Sequence, residues 1–186
     1  MTPLEIIANA FNLAAVYLAR RNHILTWPIG ILACALFAVL FYRVKLYADV
    51  SLQVFFILAS IYGWWKWRFG GGDKSELPIT TLKPRFFAGA LALAGILTVA
   101  YGFALHRWTD ASFPFIDSVV LMLSILGQLL LMVRKLENWI VWIGVNLVAT
   151  PLYASKALYL TSGIYFVFLL MAFWGHFTWR KLRANA

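Results

Sequence analysis

Seven apolar runs, each close to the roughly 20 residues a helix needs to cross a hydrocarbon core, dominate this sequence. They cover Pro3–Ala19, Ile24–Tyr42, Leu46–Trp67, Phe86–Leu105, Phe115–Val133, Trp139–Ser155 and Leu158–Trp179. In a bilayer, backbone N–H and C=O groups must find partners within the protein, so such runs fold as helices. The expected fold is an all-α polytopic membrane protein with seven transmembrane helices. Composition excludes the soluble alternative. Of the 186 residues, 63% are apolar and 12% charged. A water-soluble domain of this length has no core large enough to hide that surface. The first run is expected to stay in place rather than be cleaved as a signal, because it carries Glu5 early and ends in Arg20–Arg21.

The 16 basic residues are unevenly placed. Arg20, Arg21, Lys66, Arg68, Lys74, Lys83, Arg85, Arg134, Lys135, Arg180, Lys181 and Arg183 fall at one set of connections and the C-terminus. Arg43, Lys45, Arg107 and Lys156 fall at the other. The positive-inside rule then puts the N-terminus outside and the C-terminus in the cytoplasm. The net charge of +9 reflects this orientation and contact with lipid headgroups, and no nucleic-acid partner is expected.

The chain also repeats itself. At an offset of 112 residues Trp27 falls on Trp139, Gly63 on Gly175, Tyr47 on Tyr159, Trp67 on Trp179 and Phe56 on Phe168. Helices 1–3 therefore resemble helices 5–7, with helix 4 left over. The expected division is a first triple-helix bundle over 1–68, a cytoplasmic loop and linker helix over 69–112, and a second bundle over 113–186. Three crossings and a fourth leave both triplets running the same way, a parallel repeat of the kind that binds substrate at mid-membrane between its halves.

Polar residues inside such segments mark the candidate site. In ENWIVWIGVN (Glu137–Asn146) the spacings of three and four put Trp139, Trp142 and Asn146 on one helix face. Asn146 lies eight residues beyond Asn138, roughly 12 Å inward at 1.5 Å per residue. A carboxamide at that depth needs a partner, either a neighbouring helix or a ligand. Trp139 fits an interfacial aromatic belt or a ligand wall equally, whereas Trp142 lies a turn deeper. An indole stacks flat rings and attracts cations, and an amide both donates to and accepts from another amide.

Helix 3 presents a second polar face, with Asp49 and Gln53 four residues apart; the repeat sets Tyr165 opposite Gln53. An ion pair with Lys45 is the expected role of Asp49, and a cavity lining that of Gln53. Gln128 on helix 5 completes the candidate set. No sequence pattern of a reaction centre, metal site or cofactor is present: Cys34 is alone and the histidines are scattered. Deep acidic residues for ion coupling are also missing. A facilitator, rather than an enzyme or pump, is the expected class.

At this point the residues match a known family. FYRVKLYADVSLQVFFILASIYGWWKW (Phe41–Trp67) and FPFIDSVVLMLSILGQLLLMVRKLENWIVWIGVN (Phe113–Asn146) resemble the PnuC family of bacterial nicotinamide riboside transporters, including its WxxWxxxN arrangement. The resemblance implies a SWEET-like three-plus-one-plus-three architecture, a homotrimer, and facilitated diffusion of an NAD precursor that a cytoplasmic kinase phosphorylates and traps. It implies that Trp139, Trp142 and Asn146 contact the ligand, with Gln53 and Gln128 lining the pocket. The pattern departs at Ala33–Cys34 of helix 2. A family branch carrying thiamine, another flat aromatic cation, is the alternative.

Overall fold

The computed structural model describes residues 3–43, 45, 47–71, 76–109 and 112–185. Leu46, which opens the third apolar run, and Lys74 of the basic set lie outside them. Among the described residues seven helices follow the expected runs closely: α1 (Pro3–Arg20), α2 (Thr26–Arg43), α3 (Tyr47–Phe69), α4 (Pro84–Trp108), α5 (Pro114–Met132), α6 (Asn138–Ser155) and α7 (Tyr159–Ala184). Proline opens α1, α4 and α5, where its missing N–H costs nothing. Glu5 and Asp117 sit in first turns and Arg20 in a last turn, each favourable to the helix dipole. Among the described residues four helices, α2, α4, α5 and α7, are long and apolar enough to cross a membrane by length and composition. The other three, α1, α3 and α6, carry polar side chains along their length, Asn9 and Asn12, Asp49 and Gln53, and Asn138 and Asn146.

The repeat is visible in the backbone. Among the described residues, positive φ outside glycine occurs at Asn22 (56°), Lys45 (62°), Arg134 (50°) and Ala157 (58°). These form two pairs, each 112 residues apart. After α1, the Asn22 N–H donates to the Ala19 carbonyl and His23 N–H to Leu18. After α5, Arg134 N–H donates to Leu131 and Lys135 N–H to Leu130, the same bonds at the same offset. This left-handed cap satisfies the last carbonyls of a helix and turns the chain sharply. It lets α2 and α6 begin within a few residues.

By compactness the chain divides into two units. The first comprises Met1–Ile79, Leu131–Arg134 and Thr178–Ala186; the second comprises Thr80–Leu130 and Lys135–Phe177. In the first unit α2 packs against both α1 and α3. Its centre is a cluster of indoles. Trp27 meets Trp67 edge-on at 5.1 Å, and Trp67 lies 5.7 Å from Trp179. Trp67 Nε1 donates to the Leu131 carbonyl at 3.0 Å and Trp179 Nε1 to the Ala19 carbonyl at 2.9 Å. Positions 19 and 131 are themselves 112 apart, so the two bonds are repeat images of each other. Arg134 lies 4.2 Å over the Trp67 ring, reaches the Leu77 carbonyl and stands 3.6 Å from Glu76. Burial pushes its guanidinium pKa down, while the Glu76 carboxylate pushes it back up.

In the second unit, Val120, Val145, Ala149 and Leu152 form the core, with Leu123, Trp142, Val148, Tyr153 and Tyr165 packed against it. The segment before α4 is tied to the α5–α6 turn: Leu136 N–H donates to Thr80, Lys135 Nζ to Thr80 Oγ1, and Leu82 N–H to Glu137 Oε1.

Candidate functional site: the aromatic and amide face of α6

The placement of α6 starts at its first turn. Asn138 is fully buried and its Nδ2 donates to the Lys135 carbonyl at 2.6 Å, closing the turn onto the helix. Trp139 follows, 2% exposed, with its ring in the space above Gly175 of α7. A Cβ built at Gly175 would come within 2.7 Å of that ring. The indole therefore locks α6 to α7.

Trp142 is half-buried and lies over Gly127 of α5, where an added Cβ would stand 3.0 Å from Cε2 and 3.1 Å from Nε1. One turn further, Asn146 is 3% exposed and its Nδ2 donates to the Trp142 carbonyl at 2.7 Å. That bond orients the amide and leaves Oδ1 as the acceptor it can offer. Thr150 Oγ1 donates to the Asn146 carbonyl at 2.7 Å, and Ser162 Oγ of α7 to the Thr150 carbonyl at 2.8 Å. A polar ladder thus climbs α6 from the indole and crosses to α7.

Tyr165 of α7 stacks on Tyr153 of α6, centroids 4.9 Å apart and planes 29° apart, and meets Phe168 edge-on at 6.0 Å. Gln128 is half-buried and engaged, directly after the glycine beneath Trp142. At the far end of α6, Lys156 Nζ pairs with Asp117 Oδ1 of α5 at 2.7 Å.

Of the sequence candidates, Trp142 and Tyr165 thus share one core, Asn146 adjoins Trp142 along α6, and Gln128 follows the residue under that indole. Trp139 is held in the α6–α7 seam. Asp49 and Gln53 lie one turn apart on α3 of the first unit, both half-buried. The expected Lys45–Asp49 pair is not formed among the described residues. Lys45 occupies the left-handed turn before α3 and is exposed. Tyr153, Thr150 and Gly127 were not singled out from sequence. Only the offset of 112 held a trace of Gly127, since it falls opposite Ala15. Among the described residues no group of three metal-ligating side chains occurs.

A face of indole, phenol and carboxamide recognises a flat polar ring by stacking and by amide hydrogen bonds. The comparisons identify a transporter. The family model described as nicotinamide mononucleotide transporter matches residues 2–181. The nicotinamide riboside transporter PnuC of Escherichia coli (strain K12) is 28% identical over 201 residues, covering 95% of this chain and 84% of its own. The riboflavin/roseoflavin transporter RibM of Streptomyces davaonensis is 23% identical, covering 94% and 83%. A crystal structure of the vitamin B3 transporter PnuC superposes with a TM-score of 0.76 at 24% identity, over 98% of this chain and 82% of that one; it shows the fold. The chain belongs to the nicotinamide mononucleotide transporter family, and is a multi-pass membrane transporter rather than an enzyme.

Proposed function

We propose that this chain carries nicotinamide riboside across the inner membrane by facilitated diffusion, and that cytoplasmic phosphorylation traps the cargo. The observation that carries this reading is the Trp142 indole held over Gly127 with the Asn146 amide one turn away. The pyridinium of nicotinamide riboside is flat and cationic, suited to an indole face. Its exocyclic amide complements a second carboxamide. The phosphorylated mononucleotide suits this face less well. Trp139, Trp142, Asn146, Gln128 and Tyr165 are all neutral, whereas a phosphate dianion calls for Arg or Lys. The nicotinamide riboside transporters among the relatives support the same cargo.

The accompanying architecture is a SWEET-like three-plus-one-plus-three arrangement of like-oriented triplets, assembled as a homotrimer. The N-terminus lies outside and the C-terminus in the cytoplasm. The repeated caps and the uneven basic residues support this reading. A second cargo class, another flat B vitamin such as riboflavin or thiamine, is favoured by the riboflavin/roseoflavin relative.

The test is uptake of labelled nicotinamide riboside into proteoliposomes without an ion gradient, with thiamine and riboflavin as competitors. Uptake that equilibrates and is competed poorly by both is the expected result. A requirement for a sodium or proton gradient overturns facilitated diffusion, and stronger uptake of either competitor overturns the cargo.

A further inference from the structure

The two repeats share one helix–helix contact but fill it differently. In the first unit Ala15 of α1 faces Gly30 of α2, and a Cβ at Gly30 would stand 3.9 Å from the Ala15 methyl. The positions 112 residues on are Gly127 of α5 and Trp142 of α6, and there an indole fills the space. A methyl opposite a glycine is therefore sufficient to join these helices. The second repeat has exchanged small for large on α6 and cleared room for the ring on α5. The other indole behaves differently. Trp27 over Gly63 and Trp139 over Gly175 are the same contact in both repeats, with ring atoms within 2.5 and 2.7 Å of an added Cβ. What both repeats keep is scaffold, and what one alone acquires is specialisation.

We infer that Gly127 is a positioning residue for cargo recognition: its missing side chain sets the depth and tilt of the Trp142 indole, and so the width of the slot for a flat cationic ring. The inference rests on the reading that Trp142 contacts the cargo. At 3.0–3.3 Å from an added Cβ, Trp142 Cε2, Nε1 and Cδ2 would have to yield by a few tenths of an ångström. The ring packs against the core of Val120, Val145, Ala149 and Leu152, so yielding to a methyl on α5 changes where its face lies. Stacking and cation–π attraction depend on contact distance, so a displaced indole binds a planar cation less well.

Nicotinamide riboside binding to the purified protein in detergent, with melting temperature and proteoliposome uptake, tests this. Gly127→Ala is expected to weaken binding roughly tenfold, the scale of one lost aromatic–cation contact, and to raise KM for uptake while sparing the maximal rate. In a Trp142→Gly background, which restores the alanine–glycine pair of the first repeat, Gly127→Ala is expected to leave affinity unchanged and to raise the melting temperature. If Gly127→Ala alone does not fold, folding of that double variant with the affinity of Trp142→Gly upholds the inference, and its failure to fold overturns it. Unchanged affinity in Gly127→Ala, alongside weakened binding in Trp142→Ala, also overturns it while sparing the proposed site. Unchanged affinity in Trp142→Ala removes the site reading itself.

Discussion

The Trp139 indole occupies the space that Gly175 leaves empty, since a Cβ there would meet its ring atoms at 2.7 Å. Ring and glycine come from adjacent helices 36 positions apart in the chain, and Trp27 and Gly63 reproduce the contact at the same separation. Gly175→Ala should therefore force the ring or α7 aside, costing about 1–3 kcal/mol as overpacking does. Thermal unfolding in detergent should show the loss, and Trp139→Phe in the same background should recover part of it. A melting temperature unaffected by Gly175→Ala would mean that the seam is loose.

Ala157 closes α6 in the left-handed region with φ 58°, its N–H bonded to the Ala154 carbonyl and the next N–H to Tyr153. A Cβ in that conformation costs roughly 1 kcal/mol that glycine avoids. Ala157→Gly should raise the melting temperature with transport unchanged. A lower melting temperature would show that the methyl makes a contact outweighing the backbone strain.

Arg134 joins the Trp67 ring to the Leu77 carbonyl. Its planar guanidinium does both at once, and a lysine ammonium cannot. Arg134→Lys and Arg134→Met should each weaken the Leu77 tether, whose own N–H bonds the Trp67 carbonyl at 3.0 Å. Amide exchange at Leu77 should accelerate in both variants. Native-like exchange in Arg134→Lys would show that charge alone suffices.

Asp117 and Lys156 pair at 2.7 Å, yet both side chains are over a quarter exposed. Water competes for each charge, so a double-mutant cycle with Asp117→Asn and Lys156→Met should give a coupling below about 1 kcal/mol. A much larger value would imply a drier setting than the structure gives.

Asn146 Nδ2 donates along its own helix, to the Trp142 carbonyl. That carbonyl lies in the helical ladder, so Asn146→Ala should change stability by less than about 1 kcal/mol. Affinity for nicotinamide riboside should fall roughly tenfold as the amide pairing is lost. Isothermal titration would separate the two effects. Intact affinity would take Asn146 out of recognition.

Much of the fold was legible because a bilayer imposes a length. Runs of about 20 apolar residues broken by Arg20–Arg21, Arg43–Lys45 and Arg134–Lys135 have little choice but to be helices ending there, and the observed ends agree to within a few residues. The repeat was legible in Trp, Gly and Tyr, residues rare enough for coincidences to carry weight. Trp139, Trp142 and Asn146 were legible as one face because helical spacing is local. Their neighbours were not. Gly127 beneath Trp142 and Tyr153 against Tyr165 are contacts across helices, and a helix apolar on every side gives no moment that tells which face is packed.

By itself, then, the chain determined its helices, their ends and its own duplication, all of which follow from local spacing and from the cost of unpaired backbone groups in lipid. Tertiary structure decided that Trp139 packs onto Gly175 of α7 while Trp142 packs onto Gly127 of α5, and that Trp67 and Trp179 bond to carbonyls at positions 131 and 19. Those outcomes depend on close packing between surfaces distant in sequence, where a single Cβ changes the fit.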